Sequence, residues 1–228
     1  VATLISPSVG ATNVTLFIKA SDALNRVFIG NAIPGDSSGE ILIVHGGSDT
    51  KVTSLKGVSS PNTLPGAVPG TLSYVAIDDR RGRVYLADFA NGRLNVLNAL
   101  IETGCSAAEA APSPACYPLI ASIATGDGPT SIAIDSDHNH IYVANAFDRS
   151  LTIIDGATFR VFGTVPLPME PTALTAPVPT STGTVIGVSG HFGDPGFAIV
   201  SRDASPSETN LTVVSASLTS PAHGTARA

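Results

Sequence analysis

TSIAIDSDHNHIYVANAFDRSLTIID, residues Thr130–Asp155, decides the fold. Three short apolar runs, Ile132–Ile134, Ile141–Ala144 and Leu151–Ile154, alternate with polar turn-formers. Runs of that length suit strands and are too short for helices, so the spacing predicts a three-stranded antiparallel meander. The stretch recurs. Tyr74–Leu100 aligns with Ser131–Ala157 without a gap at a constant shift of 57, placing Tyr85 on Tyr142, Asp88 on Asn145 and Leu94 on Leu151.

Phe17–Asn31 matches at the same shift and is followed by a short insertion, Ala32–Ser38, before Ile41–Val44. A degraded fourth copy uses Pro171–Thr175, Val185–Val188 and Leu211–Val214, with Leu211–Val214 read as its third strand. The third strands ILIV, LNVL, LTII and LTVV are apolar on nearly both faces. A sheet with one wet face would alternate, so these sheets are expected to be sandwiched between neighbours. A more polar fourth strand follows in Lys51–Leu55, Leu119–Ile123 and Arg160–Val165. Four strands per unit, repeated around an axis, describe an all-β propeller of four-stranded antiparallel blades.

The residues YLAD (Tyr85–Asp88) and YVAN (Tyr142–Asn145) resemble the YVTN-type propeller repeat, over about three-quarters of the chain. The resemblance implies fold far more than function, because such repeats serve as binding platforms, enzymes and surface-protein domains. About four blades are expected within a single domain, near residues 11–57, 71–124, 129–167 and 171–216. Val1–Gly10 resembles an outer strand, and is expected to complete the last blade and close the ring. The competing reading is a section of a larger ring.

At 228 residues the chain can bury a sizeable core, and only 13% of it is charged. A net charge of −6 argues against nucleic-acid binding through a basic face. No apolar stretch is long enough for a membrane-spanning helix. The chain does not begin with Met, which suits a processed chain or part of a longer one. Its two cysteines, Cys105 and Cys116, lie in one insertion and suggest a disulfide, and hence an extracytoplasmic compartment: periplasm, cell surface or medium. The other reading, a metal or redox pair, lacks CxxC spacing and a nearby His.

Asp135-Ser-Asp137-His138-Asn139-His140 has the alternating oxygen donors of a calcium loop. It lacks the glycine and glutamate of an EF-hand, and turn chemistry explains the same residues. His138 and His140 form an H-x-H pair able to ligate zinc, or a haem iron from another chain, if further ligands joined them. Structural histidines are the alternative. No cofactor is expected from the repeats themselves. Glu102–Cys116 and Ser189–Asn210 are the individual loops, the second offering His191, Phe192, Asp194 and Phe197 for a protein contact. Both loops are expected to be dispensable for folding.

With no nucleophile motif, the leading expectation is a non-catalytic binding or structural module of a larger assembly. The alternatives are a lactonase-like or cofactor-dependent oxidoreductase propeller using the central channel, and an accessory subunit of a haem-containing complex.

Overall fold

A computed structural model describes residues 14–33, 36–48, 50–56, 72–105, 116–181, 183–191, 194–203 and 211–216. They form four separate antiparallel sheets in chain order. The first comprises β1 (Val14–Ser21), β2 (Arg26–Ile33), β3 (Asp36–His45) and β4 (Thr50–Lys56). The second comprises β5 (Leu72–Asp78), β6 (Arg83–Asp88), β7 (Arg93–Asn98) and β8 (Leu119–Ala124). The third comprises β9 (Pro129–Asp135), β10 (His140–Asn145), β11 (Ser150–Asp155) and β12 (Val161–Pro166). The fourth holds β13 (Pro171–Leu174), β14 (Val178–Thr180), β15 (Gly183–Gly190), β16 (Phe197–Asp203) and β17 (Leu211–Ala216), with β14 and β13 both pairing β15. Each sheet is one propeller blade, and its first strand packs on that of the next: β1 on β5, β5 on β9 and β9 on β13.

The repeat of 57 is visible in the backbone. Asn25, Gly82 and Asn139 are equivalent turn positions, and all adopt left-handed φ of 49°, 57° and 57°. Gly and Asn are the residues that tolerate that conformation, so the turn is written into the repeat. The insertion after Asn31 lengthens β2 and β3 into a longer hairpin, with Ile33 opposite Asp36.

Two expectations need correction. Leu211–Val214 is not a third strand: β17 pairs only with β16, so it is the outermost strand of the fourth blade. The third strand is Phe197–Asp203, inside the stretch expected to be loop, because FAIVS carries apolar side chains on both faces and pairs along β15. The fourth blade therefore has its four strands without the amino-terminal segment. Residues 1–10 lie outside the described residues, and among those described no extended contact joins the first blade to the fourth.

The core lies between blades. Phe28, Ile41 and Ile43 of the first meet Val75, Val84 and Leu86 of the second. Tyr85, Leu94 and Val96 of the second meet Ile132, Ile141 and Val143 of the third. Tyr142, Leu151 and Ile153 of the third meet Ile186, Ala198 and Val200 of the fourth. Hydrogen bonds repeat at one edge of each junction. Ser21 Oγ donates to Asp79 at 2.5 Å, Ser136 Oγ to Asp78 at 3.3 Å, and Thr184 Oγ1 to Asp135 at 2.5 Å. Arg80 pairs with Asp137 at 2.7 Å across the second junction, and Arg81 spans the same gap from Asp78 to the Ser136 carbonyl.

Cys105 and Cys116 form a disulfide. Its loop is not a dispensable appendage, because its base is part of the first junction. Cys116 and Tyr117 are buried in the core that holds Phe28, and the Tyr117 ring meets the Phe28 ring edge-on at 6.3 Å. Arg26 grips both carboxylate oxygens of Glu102, at 2.8 and 2.7 Å, and the Tyr117 hydroxyl donates to the same carboxylate. Arg26's hydrogen bond holds the Glu102 carboxyl below its usual range, while burial and then Glu102 push the Tyr117 phenol up. Deleting Glu102–Cys116 would take the Glu102 clasp and the buried Cys116 out of this junction. Deleting Ser189–Asn210 would remove β16, with the core residues Ala198 and Val200. Replacing Glu102 by Gln leaves half of the clasp without its charge, and is expected to lower stability by about 1–2 kcal/mol in urea unfolding.

Candidate functional site

Turns between second and third strands, and links from each fourth strand to the next blade, converge on one face of the blades. The turn 89–92 leaves β6, the turn 146–149 leaves β10, and the links 125–128 and 167–170 join successive blades. Backbone hydrogen bonds bind turns to links: Thr125 N to Gly92 O at 2.8 Å, Ala146 N to Gly128 O at 2.8 Å and Leu167 N to Arg149 O at 2.7 Å. The face is thus built on fixed backbone rather than on long loops.

Phe89 and Phe147 meet edge-on over the link 125–128, with ring centroids 5.1 Å apart. They are not equivalent in the repeat, since the shift of 57 puts Phe89 on Ala146. The pair exists because neighbouring blades present different turn positions to one another. Gly128, at φ 65°, makes room for it: a Cβ there would lie 2.9 Å from the Phe147 ring and 3.3 Å from that of Phe89. Phe147 is 61% exposed and Phe89 half-buried, so one ring of the pair stands open to solvent. Exposed carboxylates stand beside it. Asp148 accepts the Asp127 backbone N–H at 2.7 Å.

Arg149 continues the face toward the fourth blade. It takes the left-handed φ of 48° that its equivalent Gly92 takes at 57°. Its guanidinium lies 3.0 Å from Asp194 and 3.7 Å from Glu170, and His191 Nε2 lies 2.8 Å from Glu170. Asp194 also accepts the Glu170 backbone N–H at 2.9 Å. His191 and Asp194 therefore belong to one ionic network at this face. Phe197 lies apart on β16, half-buried along a groove on the side of the fourth blade, and Phe192 lies outside the described residues.

Beneath the face, the repeat position at the end of the second strand is buried. Asn145 donates to Ser150 Oγ at 3.0 Å and Thr152 Oγ1 at 2.8 Å. Asp88 holds the Asn91 side-chain amide at 3.0 Å. Burial pushes the Asp88 carboxyl up to about 6, against the hydrogen bonds from Asn91.

The Asp135–His140 turn sits at the opposite edge. Asp135 accepts the backbone N–H groups of Asp137 and His138, at 3.2 and 3.1 Å, and His138 Nδ1 at 2.8 Å, besides Thr184. Burial opposes ionisation of Asp135, but hydrogen bonds from Thr184 and His138 outweigh it and hold the carboxyl low. Asp137 turns away to Arg80. His138 and His140 stack with centroids 6.1 Å apart, and His140 meets Phe162 edge-on at 5.3 Å. Among the described residues no group of three or more His, Cys, Asp or Glu side chains converges on one point.

The innermost strands enclose a third feature, an open groove of about 410 Å³ lined by Lys19, Tyr74, Asp79, Ile132, Leu174 and Thr175 among others. Lys19 donates to the Tyr74 hydroxyl at 3.1 Å there. Sequence reading missed Phe89, Phe147, Arg149 and Glu170. The signal available was an aromatic residue in a turn where the neighbouring repeats carry alanine.

No protein-family model and no curated protein sequence matches the chain. Solved structures do. Hydrazine synthase from Kuenenia stuttgartiensis superposes with a TM-score of 0.60 at 15% identity, covering 93% of this chain and 53% of that one. The WD40 repeats of RRP9 give 0.62 at 14% identity, with 90% and 52% covered. The β-propeller domain of Myceliophteria thermophila Cps50 (Swd1) gives 0.55 at 10%, with 79% and 51% covered. The chain spans about half the length of these structures.

The Asp88 carboxyl, raised in the fold, binds a proton more tightly there than in the unfolded chain. Its contribution therefore makes stability fall as pH rises from about 4 to about 6. Asp88→Asn, which copies Asn145, is expected to abolish that slope and to raise stability at pH 7 by about 1–2 kcal/mol, as read by urea unfolding at pH 4.5 and 7. At such low identities the likeness carries the fold alone: the chain is an arc of β-propeller blades.

Proposed function

We propose that this chain is a non-catalytic, extracytoplasmic β-propeller module of the YVTN type that binds a protein partner within a larger assembly. The contact is made by the face that carries Phe89 and Phe147. The observation behind this reading is the aromatic pair on rigid turns, with Phe147 exposed and Phe89 half-buried beneath it. An aromatic side chain held in place loses little entropy on binding, and such residues dominate the energy of protein interfaces. Asp127 and Asp148 beside the rings, and the Arg149–Glu170–Asp194–His191 network beyond them, supply a polar rim suited to a partner segment that is apolar at its centre and basic at its edge. The Cys105–Cys116 disulfide supports an oxidising compartment.

Affinity capture from the extracytoplasmic fraction of the source cells tests this. Wild-type protein is expected to retain a saturable protein partner, and Phe147→Ser to retain at least tenfold less while keeping its circular dichroism. Equal capture by both, or capture of nothing saturable, would refute the reading.

A further inference from the structure

The innermost strands break the repeat at one position. Lys19 of β1, Ala76 of β5 and Ala133 of β9 are equivalent at the shift of 57, and Thr175 follows Leu174 in the fourth copy as Ala133 follows Ile132. All four residues line the open groove of about 410 Å³. Short side chains in the later blades leave its volume free. Only the first blade of the four puts a long cation there.

That cation is half-buried and held in place. The Lys19 ammonium lies 4.9 Å from the centre of the Tyr74 ring, supplied by the second blade, and donates to the Tyr74 hydroxyl at 3.1 Å. Among the described residues no carboxylate forms an ion pair with it. Asp79, the carboxylate of the groove, accepts Ser21 Oγ instead. An ammonium has three protons and this contact uses one, while a hydroxyl that accepts still has its own proton to give. Two oriented donors therefore stand side by side at a wall that is otherwise aliphatic, with Ile132, Ile134 and Leu174.

We propose that this groove binds a small organic monoanion, a carboxylate with an aliphatic body. Its carboxylate takes protons from Lys19 and Tyr74, and its body lies along Ile132, Ile134 and Leu174. Small-molecule sites combine an apolar wall with a few placed polar groups in a cavity of this size. One ammonium matches one negative charge, and a charge-assisted hydrogen bond to it is about twice as strong as a neutral one. A phosphate dianion would bring more charge than Lys19 offsets, into a groove that already holds Asp79. The Thr175 hydroxyl adds no donor, because it gives its proton to the Ala176 carbonyl at 3.1 Å. The site uses no residue of the Phe89–Phe147 face and stands independently of what that face binds.

Hexanoate and its neutral counterpart hexanamide, titrated into the isotope-labelled chain and read by amide chemical shifts, test this. Hexanoate is expected to bind saturably with a Kd of about 1 mM or below, shifting amides of β1, β5 and β9, and hexanamide about tenfold more weakly. Lys19→Met, which keeps most of the stem, is expected to bind the two probes alike. Tyr74→Phe keeps the ring and removes the donor, and is expected to bind hexanoate about threefold more weakly. Both variants are read with unchanged circular dichroism, and the wild-type comparison stands even if one of them does not fold. No saturable shift with hexanoate, equal affinity for hexanamide, inorganic phosphate binding more tightly than hexanoate, or either folded variant binding hexanoate as the wild type does would each overturn the proposal.

Discussion

A strand without a polar face cannot be wetted on either side, and that constraint orders this protein. Leu94, Val96 and Leu97 of β7, and Leu151, Ile153 and Ile154 of β11, are at most 1% exposed. Burying a side chain of that size contributes roughly 1.5–3 kcal/mol, and each such strand obtains it only if sheets stack on both flanks. The radial arrangement follows from that demand. At one edge of each junction polar groups meet across it, Ser21 on Asp79, Ser136 on Asp78 and Thr184 on Asp135.

The first junction uses a different device. The insertion closed by Cys105–Cys116 sends Tyr117 against Phe28 and Glu102 onto Arg26. What reads as an individual loop is anchored as core at its base. The fourth blade is departure by another route, since β14 adds a strand to the pairing along β15. Among the described residues, individuality also resides in single substitutions at equivalent turns. Phe147 and Arg149 are the examples: one places an aromatic ring in water, and the other accepts a left-handed backbone to reach Asp194.

Architecture was legible because the repeat is periodic and its chemistry is local. Blades two and three follow from the apolar runs, and the turn between first and second strands follows from Asn25, Gly82 and Asn139. The fourth blade was misread because LTVV of β17 has the composition of a third strand although it lies outermost. The strand FAIVS was lost in a stretch dense in Gly, Ser and Pro. The Phe89–Phe147 contact was not legible, although each aromatic stands where the neighbouring repeat carries alanine. It depends on which turn positions meet across a junction, and non-equivalent residues come together only once the blades are stacked. The Asp135–His140 turn shows the reverse. Its residue types offer both cation ligands and turn-formers, and Asp135 is engaged with the turn's backbone and with Thr184 of the neighbouring blade.

Amide hydrogen exchange read strand by strand tests most directly the claim that burial on both faces organises the chain. The account predicts that amides of β6, β7, β10 and β11 exchange most slowly, at the free energy of global unfolding measured in urea. Exchange of those central strands ahead of β3 or β16 would contradict it.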